Sequence, residues 1–169
     1  MVPLIVLTIL FVSMAPIYGQ REDVNVDTAR LLAIDGQYEE ALPLFLRLLE
    51  DKPDDAQLNY YTGVCYFFLS DSDRSLFFLE EAVSHGAEFP EAFYWLGQAY
   101  LVEQDLKEAL SVTERGLRRF PRNRKLLHLH EYIQKVRAGE RRPSVHLNSK
   151  DLIVPVQPPL SEEPIDDFR

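Results

Sequence analysis

Residues 93–100 read Phe93-Tyr94-Trp95-Leu96-Gly97-Gln98-Ala99-Tyr100, with Ala109 and Pro121 further along the chain. Gly97 is one small residue in a bulky apolar run, and the same contrast recurs at a fixed distance. Ala29, Gly63 and Gly97 are 34 residues apart and small, while Leu32, Tyr66 and Tyr100 follow three residues later and are large. Ala41, Ser75 and Ala109 form a third series with the same period. A 34-residue recurrence of small and large positions is the pattern of stacked helix–turn–helix units. Small residues at these points let neighbouring helices approach to about the 8–10 Å interaxial limit. Tyr66, Tyr100, Phe45 and Leu79 are predicted to fill the gaps between units.

The turns carry their own punctuation. Asp35-Gly36, Ser70-Asp71-Ser72-Asp73 and Gln104-Asp105 separate the two helices of each unit. A helix pair cannot bury its apolar face alone, so roughly three units and an end cap are needed. Arg122 to Arg142 supplies the cap: it is highly charged, yet Leu126, Leu127, Leu129, Ile133 and Val136 recur at helical spacing, and Gly139 ends it.

The best-formed unit, Phe93-x-x-Leu96-Gly97-x-x-Tyr100 with Ala109 and Pro121, resembles the tetratricopeptide repeat, with Phe93 where that family usually has tryptophan. The first unit contributes Gly36-Gln37-Tyr38-Glu39-Glu40-Ala41, Phe45 and Pro53. The second is weaker: Asn59-x-x-Thr62-Gly63-x-x-Tyr66 fits, but Ser75 and Leu79 replace the usual alanine and aromatic, and Ala87 stands where the closing proline would be. The resemblance covers about residues 22–123. It implies an all-α solenoid of three units, 22–55, 56–89 and 90–123, followed by a capping helix at 124–138.

The resemblance also implies a ligand-facing stripe along the first helix of each unit. Carried over by phase, the stripe runs through Asp23, Val26, Arg30, Ala33 and Ile34, then Gln57, Tyr60, Val64, Phe67 and Phe68. It ends with Glu91, Tyr94, Gln98, Leu101 and Val102. Some family members clamp a C-terminal carboxylate with Lys and Asn on this stripe. Val26, Tyr60 and Val64 stand where such polar residues would be, so an apolar, aromatic groove for an extended hydrophobic segment is expected instead.

The chain has 169 residues, 46% of them apolar and 27% charged, enough for one domain or a short repeat array plus a tail. Its formal charge is −9, which argues against a general nucleic-acid binder. The single cysteine, Cys65, excludes an internal disulfide and a multi-thiolate zinc site. Charge is polarised: residues 21–102 carry 5 basic and 16 acidic side chains, whereas residues 103–142 carry 11 and 6. Arg118, Arg119 and Arg122 make a basic docking patch for an acidic partner or for the chain's own tail.

Both termini differ in composition from the repeats. Met1 to Gln20 has no charged side chain and Leu4 to Met14 is almost wholly apolar, the pattern of a secretory signal over residues 1–19, cleaved near Gly19. An uncleaved membrane anchor is the alternative, although a spanning helix wants about 20 apolar residues. Residues 139–169 hold five prolines, at 143, 155, 158, 159 and 164, and read as an extended or disordered tail with an acidic end. Its apolar island, Leu152 to Val156, is expected to act as an internal ligand of the groove.

No catalytic, cofactor or metal site emerges. His128 and His130, two apart on a helix, point to different faces, and the adjacent acids (Glu39-Glu40, Glu80-Glu81) look like solvated surface. The expectation is a non-catalytic scaffold, exported to the periplasm or beyond, that binds a peptide segment of another envelope protein. The alternative is head-to-tail self-association of acidic first and basic last repeats.

Overall fold

The computed structural model describes residues 25–139. The predicted signal at 1–19 and nearly all of the predicted tail lie outside the described residues. Seven α-helices follow one another: α1 (Val26–Ile34), α2 (Tyr38–Asp51), α3 (Ala56–Phe68), α4 (Ser72–Ser84), α5 (Pro90–Val102), α6 (Leu106–Arg119) and α7 (Arg124–Arg137). Each helix packs on the next, and α1, α3, α5 and α7 also touch in succession. The result is the expected all-α stack of helix pairs, with odd helices in one row and even helices in the other.

Side-chain caps explain where most helices start. Asp55 Oδ1 accepts from the Gln57 and Leu58 amides at 2.9 and 3.0 Å, and Asn123 Oδ1 accepts from the Leu126 amide at 3.0 Å. Asp71 and Asp105 do the same for α4 and α6. Each satisfies amides that have no partner inside the first helical turn. Helix α5 instead opens with Pro90, whose missing N–H costs nothing at that position. Between paired helices the chain turns through positive φ: 78° at Gly36, 62° at Ser70 and 62° at Gln104.

The small residues sit where helices come closest. A Cβ on Gly63 would lie 2.7 Å from Leu79 Cγ, and one on Gly97 would lie 2.9 Å from Thr113 Cγ2. Phe45 stacks on Tyr61 at 5.2 Å and joins the first unit to the second. Tyr100 reaches from the third unit to hydrogen-bond Glu80 of the second. Tyr66 stacks on Phe78 at 5.5 Å and Leu79 covers Gly63, both within the second unit. The loop before α3 is fixed by Asn59, whose buried amide donates to Pro53 O at 2.7 Å and Asp55 O at 3.0 Å.

Helix α7 closes the stack with Leu126, Leu129, Ile133 and Val136, all buried. Leu127 departs from the predicted apolar stripe and is 46% exposed. It lies about 100° around the helix from Leu126, off the face that the 3–4 residue spacing defines.

Candidate functional site

The predicted stripe splits into an exposed part and a sealed part. Val26 and Val102 are exposed, and Arg30, Ile34, Phe67, Phe68 and Tyr94 are half-buried. Tyr60 and Val64, expected to face a ligand, are 1% and 0% exposed and belong to the core. The cause is local packing. Tyr60 is wedged edge-on against Tyr61 and Phe89, each 5.0 Å away, and Phe89 lies in the connection from α4 to α5. Burial, with help from the Glu91 carboxylate, holds the Tyr60 phenol well above its ordinary pKa.

An aromatic ladder links the units across the odd-helix row. Tyr38 stacks on Phe68 at 4.4 Å, Phe68 and Phe67 each meet Trp95 edge-on at 5.2 Å, and Trp95 meets Tyr94 at 5.4 Å. Such pairs fix one another's orientation; Trp95 is buried among them, and Tyr38, Phe67, Phe68 and Tyr94 keep part of their surface exposed. Arg30 begins the row, its guanidinium 3.3 Å from Asp27 Oδ1 and 5.9 Å from the centre of the Tyr61 ring.

At the other end of the row, α5 and α7 part to form a cavity of about 470 Å³. Helix α5 contributes Tyr94, Gln98 and Leu101 to its wall. Gln98 Nε2 donates to the Tyr94 hydroxyl at 2.9 Å, which fixes the orientation of both. Helix α7 adds Arg124, Lys125 and His128, with Leu129 and Tyr132 beside them. Sequence reasoning placed the basic patch elsewhere, at Arg118, Arg119 and Arg122. Those three are exposed at and just after the end of α6, with Arg119 Nη1 donating to Ala87 O at 3.4 Å, and they do not line this cavity. A signal for the missed residues existed: Lys125, His128 and Tyr132 lie 34 residues after Glu91, Tyr94 and Gln98, in phase with the stripe.

Among the described residues no group of three or more His, Cys, Asp or Glu side chains is placed to hold a metal ion, and no helix is long and apolar enough to cross a membrane. His128 contributes to the cavity, whereas His130 Nδ1 meets Thr113 Oγ1 at 3.0 Å. Cys65 is fully buried, and burial pushes its thiol up to about 12. The thiolate is the reactive form, so thiol reagents are expected to label Cys65 only at the rate of unfolding. Because the unfolded thiol ionises near its ordinary value of 9.0, stability is expected to fall as pH rises from about 9 towards 12. Equilibrium unfolding measured at pH 7 to 10, with Cys65→Ala reducing the fall between pH 9 and 10, checks this; above pH 10 the buried phenols, Tyr60 among them, add a fall of their own.

The tetratricopeptide-repeat family model matches residues 26–76 and 69–124, and the chain belongs to that family. Proteins built on this repeat are typically non-catalytic scaffolds. No curated protein sequence matches the chain. Solved structures do. The first such domain of Spaghetti (RPAP3), bound to the HSP90 peptide SRMEEVD, is 22% identical with a TM-score of 0.62, over 66% of this chain and 89% of that one. The Yersinia enterocolitica chaperone SycD, in complex with a peptide of the translocator YopD, is 17% identical with a TM-score of 0.57, over 68% and 98%. The Sgt2 domain from Aspergillus fumigatus is 16% identical with a TM-score of 0.61, over 70% and 82%.

Proposed function

We propose that this protein is a non-catalytic adaptor that holds an extended peptide segment of another protein along the face lined by α1, α3, α5 and α7. The observation that carries the reading is the aromatic ladder that runs from Tyr38 at the start of α2 through Phe68 and Trp95 to Tyr94 and links all three units, with Val26 and Val102 exposed on α1 and α5. The half-buried rings of Tyr38, Phe68 and Tyr94, held by the buried Trp95, give a peptide apolar contact at little entropic cost. The peptides bound by RPAP3 and SycD support the same use of the repeat. Val26 is exposed and offers an apolar contact on the first unit, whereas Val64 is sealed in the core.

The reading is tested with peptides selected from a random library on the purified chain. Val26→Asp and Val102→Asp change exposed side chains and are expected to cost less than about 0.5 kcal/mol of stability. Together they should weaken the selected peptides at least about tenfold, equivalent to about 1.4 kcal/mol. Phe77→Asp, which alters a 56% exposed aromatic on α4, should leave affinity unchanged. Equal loss from Phe77→Asp, or none from the valine pair, contradicts the assignment.

The composition of residues 1–19 supports an exported protein working in the cell envelope or outside the cell. N-terminal sequencing of natively expressed protein tests this: a start near Gln20 agrees, and an intact Met1 in the membrane fraction favours an anchor.

A further inference from the structure

The cavity between α5 and α7 differs chemically from the rest of the odd-helix face. Two cations, Arg124 and Lys125, line it with His128 beside them, while Tyr94, Leu101, Leu129 and Tyr132 supply apolar wall. Its volume of about 470 Å³ falls within the range of small-ligand and side-chain pockets, roughly 300–1,000 Å³. A ligand that satisfies both halves carries carboxylates next to an apolar side chain.

The cations also stand where helix energetics disfavour them. Arg124 and Lys125 open α7, whose first turn holds no acidic residue. The dipole of a helix puts partial positive charge at that end, so two cations there oppose folding. Neither is assigned an ion pair within the described residues, although Lys135 lower on the same helix is paired with Glu131 at 2.6 Å. Helix stability therefore gives no reason for this pair, and an anionic occupant does.

We propose that this cavity is a peptide subsite whose occupant is the chain's own C-terminal segment, Glu162-Glu163-Pro164-Ile165-Asp166-Asp167-Phe168. That segment has two carboxylates on each side of Pro164-Ile165, followed by Phe168 and the terminal Arg169, and so sets acidic groups next to apolar side chains as the cavity requires. The apolar island Leu152 to Val156 lacks carboxylates within it and suits the uncharged part of the face instead. Reach is ample. The cavity lies near the start of α7, and its 14 residues measure about 21 Å. The chain between Gly139 and Glu162 extends to about 70 Å at about 3.3 Å per residue. Tethering holds the segment at an effective concentration of about 1 mM, so a contact with a dissociation constant of about 0.1 mM is mostly formed. An outside acidic segment has to displace it. This inference rests on the peptide-binding reading of the same face and names an occupant for one end of it.

The test titrates a fluorescent peptide of residues 160–169 into the full chain and follows polarisation. One form keeps its own tail; the other carries Glu162→Gln, Glu163→Gln, Asp166→Asn, Asp167→Asn and Phe168→Ser. The neutralised form should bind the peptide saturably, and the intact form about tenfold more weakly, because its tethered segment competes. Arg124→Glu with Lys125→Glu should abolish binding to the neutralised form while leaving the melting temperature unchanged or higher, as expected for acids at a helix start. A library-selected apolar peptide should still bind that charge-reversed chain. If it does and the tail peptide does not respond to charge reversal, this inference fails alone; if neither peptide binds any form, the parent reading fails too. Three further results overturn the proposal: no binding to the neutralised form, equal binding by a scrambled peptide, or competition that grows with protein concentration. The last would assign the occupant to a second copy.

Discussion

Replacing Gly97 with leucine is expected to cost more than about 3 kcal/mol, and thermal melts should show the repeats unfolding well below the unmodified chain. A Cβ alone at this position would lie 2.9 Å from Thr113 Cγ2 and 3.1 Å from Leu129 Cδ2. Neither neighbour is free to retreat. Thr113 is fully buried, and its hydroxyl is held by Ala109 O at 2.9 Å and His130 Nδ1 at 3.0 Å. Leu129 is buried where α7 meets α5 and also lines the cavity. Three further carbons have to separate α5 from α6, α7 or both. Glu103→Gln, an exposed change just past the end of α5, should cost less than about 0.5 kcal/mol. Equal melting temperatures for the two variants would show that Gly97 does not mark a close helix contact.

Phe45→Ala should cost about 3–5 kcal/mol, the usual range for removing a fully buried aromatic. Phe45 is 0% exposed and lies parallel to Tyr61 at 5.2 Å, so it carries much of the contact between the first unit and the second. A repeat array gains stability from nearest-neighbour interfaces, and weakening one interface frees the unit at the end. Amide protection against hydrogen exchange should therefore fall first in α1 and α2 and persist in α5 to α7. Uniform loss along the chain would mean that the stack unfolds as one cooperative block.

The architecture was legible because its signal is periodic. Gly63 and Gly97 share one 34-residue series with Ala29, so the close contacts could be read directly. Gly116 could not: its counterparts are Ala82 and Leu48, an incomplete series, yet its Cβ would lie 2.7 Å from Phe93 Cβ. The ligand-facing stripe was only half legible, for a physical reason. Phase says which way a side chain points, but burial depends on what the connections bring against it. Phe89, outside the helices, helps seal Tyr60. The cationic cavity was missed although the phase continues through Lys125, His128 and Tyr132. Helix α7 reads as a cap from its charge and its apolar stripe, and because it keeps the register of the repeats it also lines a cavity with α5.

The central claim is that the odd helices form a peptide-binding face, and backbone amide shifts recorded with a library-selected peptide test it most directly. Shifts should concentrate in α1, α3 and α5, around Val26, Ile34, Phe67, Phe68, Tyr94 and Val102, and extend into the start of α7 when the peptide ends in acidic residues. Shifts confined to α2, α4 and α6, with the odd helices silent, would contradict the account.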